Sequence, residues 1–174
     1  IASGGYIYLD SILLPISTVP SSEDLNILEF DTSGNLTHYN LIDAPALGVS
    51  LLPWDIRYDH DGNYLLGGFI YGPGCVIGNP PNNCVSSIIE GGIVVKLKPT
   101  GECIYIAEFA SVVLSSLIIS GITPLSSGRT AFVGYFGEPF DADPGPGVIN
   151  LTPGSQFDIF YGVLDSLGGL IYVH

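Results

Sequence analysis

Short glycine-centred turns, each leading into an aromatic or aliphatic run, recur along this chain and constrain its fold more than any other feature. One type occupies residues 2–8, 60–66, 126–132 and 166–172, with Gly4, Gly62, Gly128 and Gly168 at the turns. A second type alternates with it at residues 27–36, 94–103 and 148–157, around Gly34, Gly101 and Gly154. In the second type, apolar alternation flanks Asp31-Thr32-Ser33-Gly34, Lys98-Pro99-Thr100-Gly101 and Thr152-Pro153-Gly154-Ser155. Strand, turn and returning strand is the pattern this predicts. Short strand candidates also precede the first type at residues 54–58, 118–122 and 161–164. The expected fold class is therefore all-β, built from repeated four-stranded antiparallel units. Residues 1–174 read as a single β-repeat region with units at 4–42, 51–110 and 116–161 and a partial unit at 162–174. Turn spacings in this register are uneven: 58, 66 and 40 between the first glycines, 67 and 53 between the second. The variation falls in the connection between the second and third strands, where insertions are tolerated.

The segment Val94-Val95-Lys96-Leu97-Lys98-Pro99-Thr100-Gly101, taken with Asp59-His60-Asp61-Gly62-Asn63-Tyr64-Leu65-Leu66-Gly67-Gly68, resembles the repeats of secreted bacterial β-propeller proteins. The likeness covers nearly the whole chain and rests on turn and strand residues. It implies β-propeller-like blades. It does not imply one function, because such propellers host adhesion, scaffolding, sugar binding and some catalysis. About three blades are countable, fewer than the four to eight that close a propeller. The expectation is thus an incomplete array, with terminal sheets that expose unpaired backbone groups.

Charge narrows the partners. With 17 acidic residues against 4 basic ones, the net charge of −13 repels phosphate backbones and anionic surfaces, so nucleic acid is excluded as a partner. Hydrophobic residues make up 47% of the chain, enough for a sizeable core. The longest charge-free stretch, residues 109–127, is broken by serines, Gly121 and Pro124 and is not read as a membrane span. No methionine occurs and the chain begins at Ile1, which reads as a processed product or an excised piece.

Cys75 and Cys84 bracket a Gly-Asn-Pro-Pro-Asn-Asn segment whose turn residues can fold back and bring the two sulfurs together. A Cys75–Cys84 disulfide is the expected pairing, and an oxidising compartment follows from it. Cys103, in an apolar alternating stretch, reads as a small buried hydrophobe.

Chemistry-bearing groups are sparse. Asp59 and Asp61 before Gly62 look like the start of a calcium loop, but the further oxygen ligands such a loop needs do not follow. Asp141 and Asp143, with Glu138 nearby, sit in a Pro/Gly-rich connection where carboxylates are more often solvated. No metal or other cofactor is therefore expected, calcium being the one candidate. His38, His60 and His174 are scattered, and no zinc, acyl-transfer or phosphate-loop motif is present. Lys96 and Lys98 read as a solvent-facing alternation opposite Val95 and Leu97. Trp54 and the tyrosines and phenylalanines are expected mainly in the core, an exposed subset being able to stack on sugar rings. Asn35-Leu36-Thr37 and Asn150-Leu151-Thr152 match the N-glycosylation pattern, with Asn35 the more exposed acceptor and Asn150 less accessible in a strand.

These readings point to an extracellular or cell-surface, non-catalytic repeat module with a structural or binding role. Its partners would be identical copies or neighbouring repeats of a longer chain, with a carbohydrate or protein ligand also open. A filament or surface-layer subunit joined through strand edges is the first alternative, and a carbohydrate-active enzyme with its site in the long loops is the second.

Overall fold

The computed structural model describes residues 5–9, 12–16, 25–42, 50–72, 74–78, 81–111 and 116–174. The described chain is all-β, and every strand pairing in it is antiparallel. Strands β1 (Gly5–Leu9) and β2 (Ile12–Ile16) form one ribbon, and β3 (Leu25–Phe30) and β4 (Leu36–Ile42) form another. A four-stranded meander follows, with β5 (Ser50–Tyr58), β6 (Tyr64–Tyr71), β9 (Glu90–Leu97) and β10 (Cys103–Ala110) in that spatial order. Between β6 and β9 lies a two-residue ribbon of β7 (Val76–Ile77) and β8 (Cys84–Val85). The second meander repeats the plan: β11 (Leu117–Pro124), β12 (Thr130–Phe136), β15 (Asp158–Leu164) and β16 (Leu170–Val173). Its small ribbon pairs β13 (Phe140–Asp141) with β14 (Asn150–Leu151).

One five-residue turn closes five of these hairpins, at residues 31–35, 59–63, 98–102, 125–129 and 165–169. In each, the first residue's N–H donates to the fifth residue's carbonyl. The fourth residue is always glycine, at φ between 73° and 87°, a left-handed conformation that a side chain disfavours. Where the first residue is Asp, its carboxylate accepts from the backbone N–H groups two and four residues on. This is seen at Asp31, Asp59 and Asp165.

These turns correct the expected register. Gly34, Gly101 and Gly168 each join the third strand of a unit to the fourth, and they stand 67 residues apart; Gly62 and Gly128 join the first strand to the second and stand 66 apart. The repeat is uniform once Gly168 is placed with Gly34 and Gly101. The hairpin expected at residues 148–157 does not form. Asn150 and Leu151 pair with Asp141 and Phe140, Pro153 has no N–H to give a ladder, and the Gly154 N–H is bound by Asp158 Oδ2 at 2.6 Å on the approach to β15. The expected unit 116–161 and partial unit 162–174 are therefore one sheet. The expected unit 4–42 is two separate ribbons, and its Gly4 turn lies outside the described residues.

The two meanders pack face to face. Leu65, Val94 and Phe109 of the first meet Ile119, Phe132 and Phe160 of the second in one buried cluster. On the opposite face of the first meander, Leu66, Ile70, Ile93 and Val95 form a second cluster with Ile27 of β3. Adjacent residues such as Leu65 and Leu66 serve different clusters because strand side chains alternate between faces. That is why β6 and β9 read as continuous apolar runs. Gly67 and Gly92 permit the close approach: a Cβ on Gly67 would stand 2.7 Å from Ile122 Cγ2, and one on Gly92 would stand 2.5 Å from Leu117 Cδ2. Five phenylalanines, 109, 132, 136, 140 and 160, complete the seam with tilted and edge-on ring contacts at 5.0–5.9 Å.

The disulfide joins Cys84 to Cys103, whose Cα atoms are 5.6 Å apart, and Cys75 carries a free thiol. The expected Cys75–Cys84 bond is overturned by register. The β7–β8 ribbon sets Cys84 opposite Ile77, while the Cys75 carbonyl accepts from Ser86. The turn does fold back, but it presents Cys84 to β10, where the Cys103 N–H also donates to the Asn82 carbonyl. Cys75 is buried in the core cluster. Burial first, and then the charge of Glu108, pushes its thiol up to about 11.

Candidate functional site

Polar ties between consecutive units concentrate at the meander seam. Lys96 of β9, expected to face solvent, is buried: its Nζ lies 2.7 Å from Asp59 Oδ2, with both side chains about 95% buried, and donates at 3.3 Å to the Gly128 carbonyl in the next unit's turn. Alternation along β9 does separate Lys96 from Val95 and Leu97, but both faces of this strand are covered. Burial pushes the Asp59 carboxyl upward, and the hydrogen bonds from Lys96 and Asn63 outweigh that effect and hold it at about 2. Asp59 is thereby committed, with Oδ1 accepting from Asp61 and Asn63 and Oδ2 from Asn63 Nδ2 and Lys96.

Three more ties cross between units. Tyr105 of β10 hydrogen-bonds Thr130 Oγ1 at 2.9 Å and lies against the Gly168 turn. Burial pushes its phenol up to about 12. The Ile122 N–H donates to Asp55 Oδ2 at 3.1 Å. On the other side of the first meander, the Tyr64 hydroxyl donates to Glu29 of β3. Positions 29, 96 and 163 are equivalent in the repeat and carry Glu, Lys and Val. The first two hold inter-unit ties, and the third presents an apolar side chain in the last meander.

Two open depressions flank the seam. One, of about 320 Å³, lies among the turns, where Asp59, His60, Asp61, Lys96, Ser127 and Ser166 line it. The other, of about 380 Å³, lies largely on the second meander, lined by Gly121, Ala131, Val133, Tyr161, Val163 and Tyr172, with Asp55 of β5 also in its wall. Around it Ile159 is 73% exposed, Tyr161 45% and Tyr172 44%. The Tyr161 and Tyr172 rings meet edge-on at 5.9 Å, and their mutual hydrogen bond raises the Tyr172 phenol.

The remaining candidates are placed as follows. Asp61 is exposed at the tip of its turn. Asp141 Oδ1 accepts from the Asp143 and Ile149 N–H groups, and Asp143 Oδ1 accepts from Gly145, so both carboxylates shape the β13–β14 loop. Among the described residues no three His, Cys, Asp or Glu side chains gather where a metal ion would bind. Asn35 is exposed as expected, and its Nδ2 donates to Asp31 Oδ2. Asn150, expected to be less accessible, is exposed because β14 is a two-residue ribbon at the surface. Of the aromatic residues, Tyr64, Phe109 and Phe160 are core, whereas Trp54, Tyr58, Tyr71 and Phe157 are exposed together with Tyr161 and Tyr172. No helix among the described residues is long and apolar enough to cross a membrane.

The sequence reading places Lys96 in solvent and the tyrosines mainly in the core, and it does not single out Asp55. The 67-residue period relates Tyr105, which lies at the seam, to Tyr172, which lies on the open face of the second meander. Compared with protein-family models, curated proteins and solved structures, the chain matches none.

Proposed function

We propose that the chain is a non-catalytic stretch of a blade-like repeat array in an extracellular or cell-surface protein, with a structural or binding role exercised through stacked sheets. One observation carries this reading: two meanders of the same topology, spaced by one 67-residue period, lie face to face with a dedicated set of inter-unit ties. The Cys84–Cys103 disulfide supports an oxidising compartment. The non-catalytic part is supported by the use of the carboxylates, because Asp59, Asp141, Asp143 and Asp165 each hold a turn or loop together.

In such arrays stability is a sum of unit and nearest-neighbour terms. Fusing a further copy of residues 50–116 after His174 therefore raises the melting temperature by several degrees and keeps one cooperative transition. An unchanged melting temperature, or a separate transition for the added unit, would count against stacking as the organising interaction.

A further inference from the structure

The glycine turns gather on one rim, and that rim is dented at each junction between units. β5 and β9 run in one direction, as do β11 and β15, so the turns that follow them lie at one end of each meander. The hydrogen bond from Lys96 to the Gly128 carbonyl brings those two ends together. Between the meanders sits the 320 Å³ depression. A further depression, of about 310 Å³, sits between the β3–β4 ribbon and the first meander, lined by Glu29, Tyr58, Gly62 and Pro99. Glu29, Gly62 and Pro99 stand one repeat before Lys96, Gly128 and Ser166, so the same hollow occurs twice. The hollow between the meanders has hydrogen-bonding capacity to spare. The Lys96 ammonium has three N–H donors but two acceptors, Asp59 Oδ2 and the Gly128 carbonyl, which leaves one donor on a nearly buried side chain that lines the hollow. The Asp61 N–H is bound by Asp59, while the Asp61 carboxylate is exposed and accepts from no described residue. Ser127 and Ser166 add hydroxyls that donate or accept, and Leu125 adds apolar surface. Ser127 is also the one non-glycine residue at positive φ among the described residues, at 62°, a strain that ligand clamps retain.

We propose that this rim binds a neutral oligosaccharide, with one sugar ring in the hollow between the meanders and another ring of the same chain in the hollow beside Tyr58. The proposal rests on the stacked-repeat reading above and names the ligand of its binding role. A sugar ring carries hydroxyls that accept from Lys96 and donate to Asp61, and a C–H face that lies on Leu125. Asp59 cancels the Lys96 charge, so the net charge left in the hollow is that of Asp61, on a chain of −13. That field repels sulfated, phosphorylated and acidic sugars. Packed sheets stand about 10 Å apart, so the two hollows are spaced for one extended chain. At the hollow nearer the ribbon the Tyr58 ring, 48% exposed, is a stacking platform.

Amide shift mapping by nuclear magnetic resonance on the full chain tests this. The probes are glucose, mannose and N-acetylglucosamine to about 50 mM, enough to register a millimolar Kd, their β-1,4-linked tetrasaccharides, and spermidine as a cation drawn by the acidic field. At least one sugar should move the Asp61, Ser127 and Ser166 amides saturably, and its tetrasaccharide should bind at least about tenfold more tightly, the gain that a second subsite gives a linked ligand. Asp61→Ala should weaken both at least about tenfold at an unchanged melting temperature. Tyr58→Ala, or Tyr58→Leu where that variant does not fold, should remove the tetrasaccharide's gain and leave the single sugar's affinity unchanged. No shift from any sugar overturns the proposal, as do shifts confined to other surfaces, or spermidine binding at Asp61 that no sugar matches. If the fused-repeat protein is stabilised while no sugar binds, the oligosaccharide falls and the stacked-repeat reading stands; if fusion adds nothing, that reading falls on its own measurement.

Discussion

Lys96 shows how a single buried charge fastens one unit to the next. Its ammonium compensates Asp59, and removing it strands a carboxylate in a site that is almost fully covered. Lys96→Ala should cost about 3–5 kcal/mol at neutral pH, the range for breaking a buried pair from one side, and Lys96→Met combined with Asp59→Asn should cost less; urea unfolding measures both. The pair also sets an acid limit. Because the folded Asp59 carboxyl, at about 2, lies below its unfolded value near 3.9, its contribution is complete above about pH 4 and is lost as the pH falls towards 2. The stability of the Lys96→Ala, Asp59→Asn double variant should fall less steeply over that window. Sequence alternation identified Lys96 as opposite in direction to Val95, but direction along a strand does not say whether the other face is wet. The cysteines carry the same lesson. The turn between Cys75 and Cys84 was legible, whereas the pairing depended on a two-residue ribbon register and on a third strand 19 residues on. Mass spectrometry of non-reduced peptides should recover Cys84 linked to Cys103 and an unmodified Cys75 thiol.

At the scale of elements, the strands and their turns were largely readable because both have local causes. Apolar alternation marks a strand, and a glycine that must adopt positive φ marks the fourth residue of the turn. Grouping strands into sheets was harder. Val148-Ile149-Asn150-Leu151 has strand composition, yet it ends in a two-residue ribbon because Phe140 and Asp141 compete for it and Pro153 cannot join a ladder. Composition does not record that competition. The approach distance of the sheets is likewise hidden until partners are known. Gly67 then stands out, with Gly92, as a position where β11 comes within 3 Å of where a Cβ would stand. Gly67→Val should destabilise by about 1–3 kcal/mol through overpacking at the seam, read by urea denaturation, while Val133→Gly at the equivalent open position should cost under about 1 kcal/mol. Equal losses at the two sites would mean that the seam is not closely packed.

For the whole molecule, the 67-residue period ties sequence, fold and proposed role together. At the seam, the first meander offers a receiving face and the second meander inserts β11 on it. The low content of charged side chains follows from that arrangement, since a middle sheet covered on both sides has little room for them. Three of the four basic residues, Arg57, Lys96 and Lys98, are engaged in ion pairs. Face-to-face stacking of the two meanders is the claim on which everything else depends, and nuclear Overhauser contacts in solution test it most directly. With methyl-labelled isoleucine and ring-labelled phenylalanine, the account predicts cross-peaks from the Ile122 Cγ2 methyl to the Gly67 α-protons and from the Phe109 ring to the Phe132 and Phe160 rings, whose centroids lie 5.1 and 5.9 Å away. Gly67 α-protons that see no isoleucine methyl, together with a Phe109 ring that sees only residues of its own sheet, would contradict it.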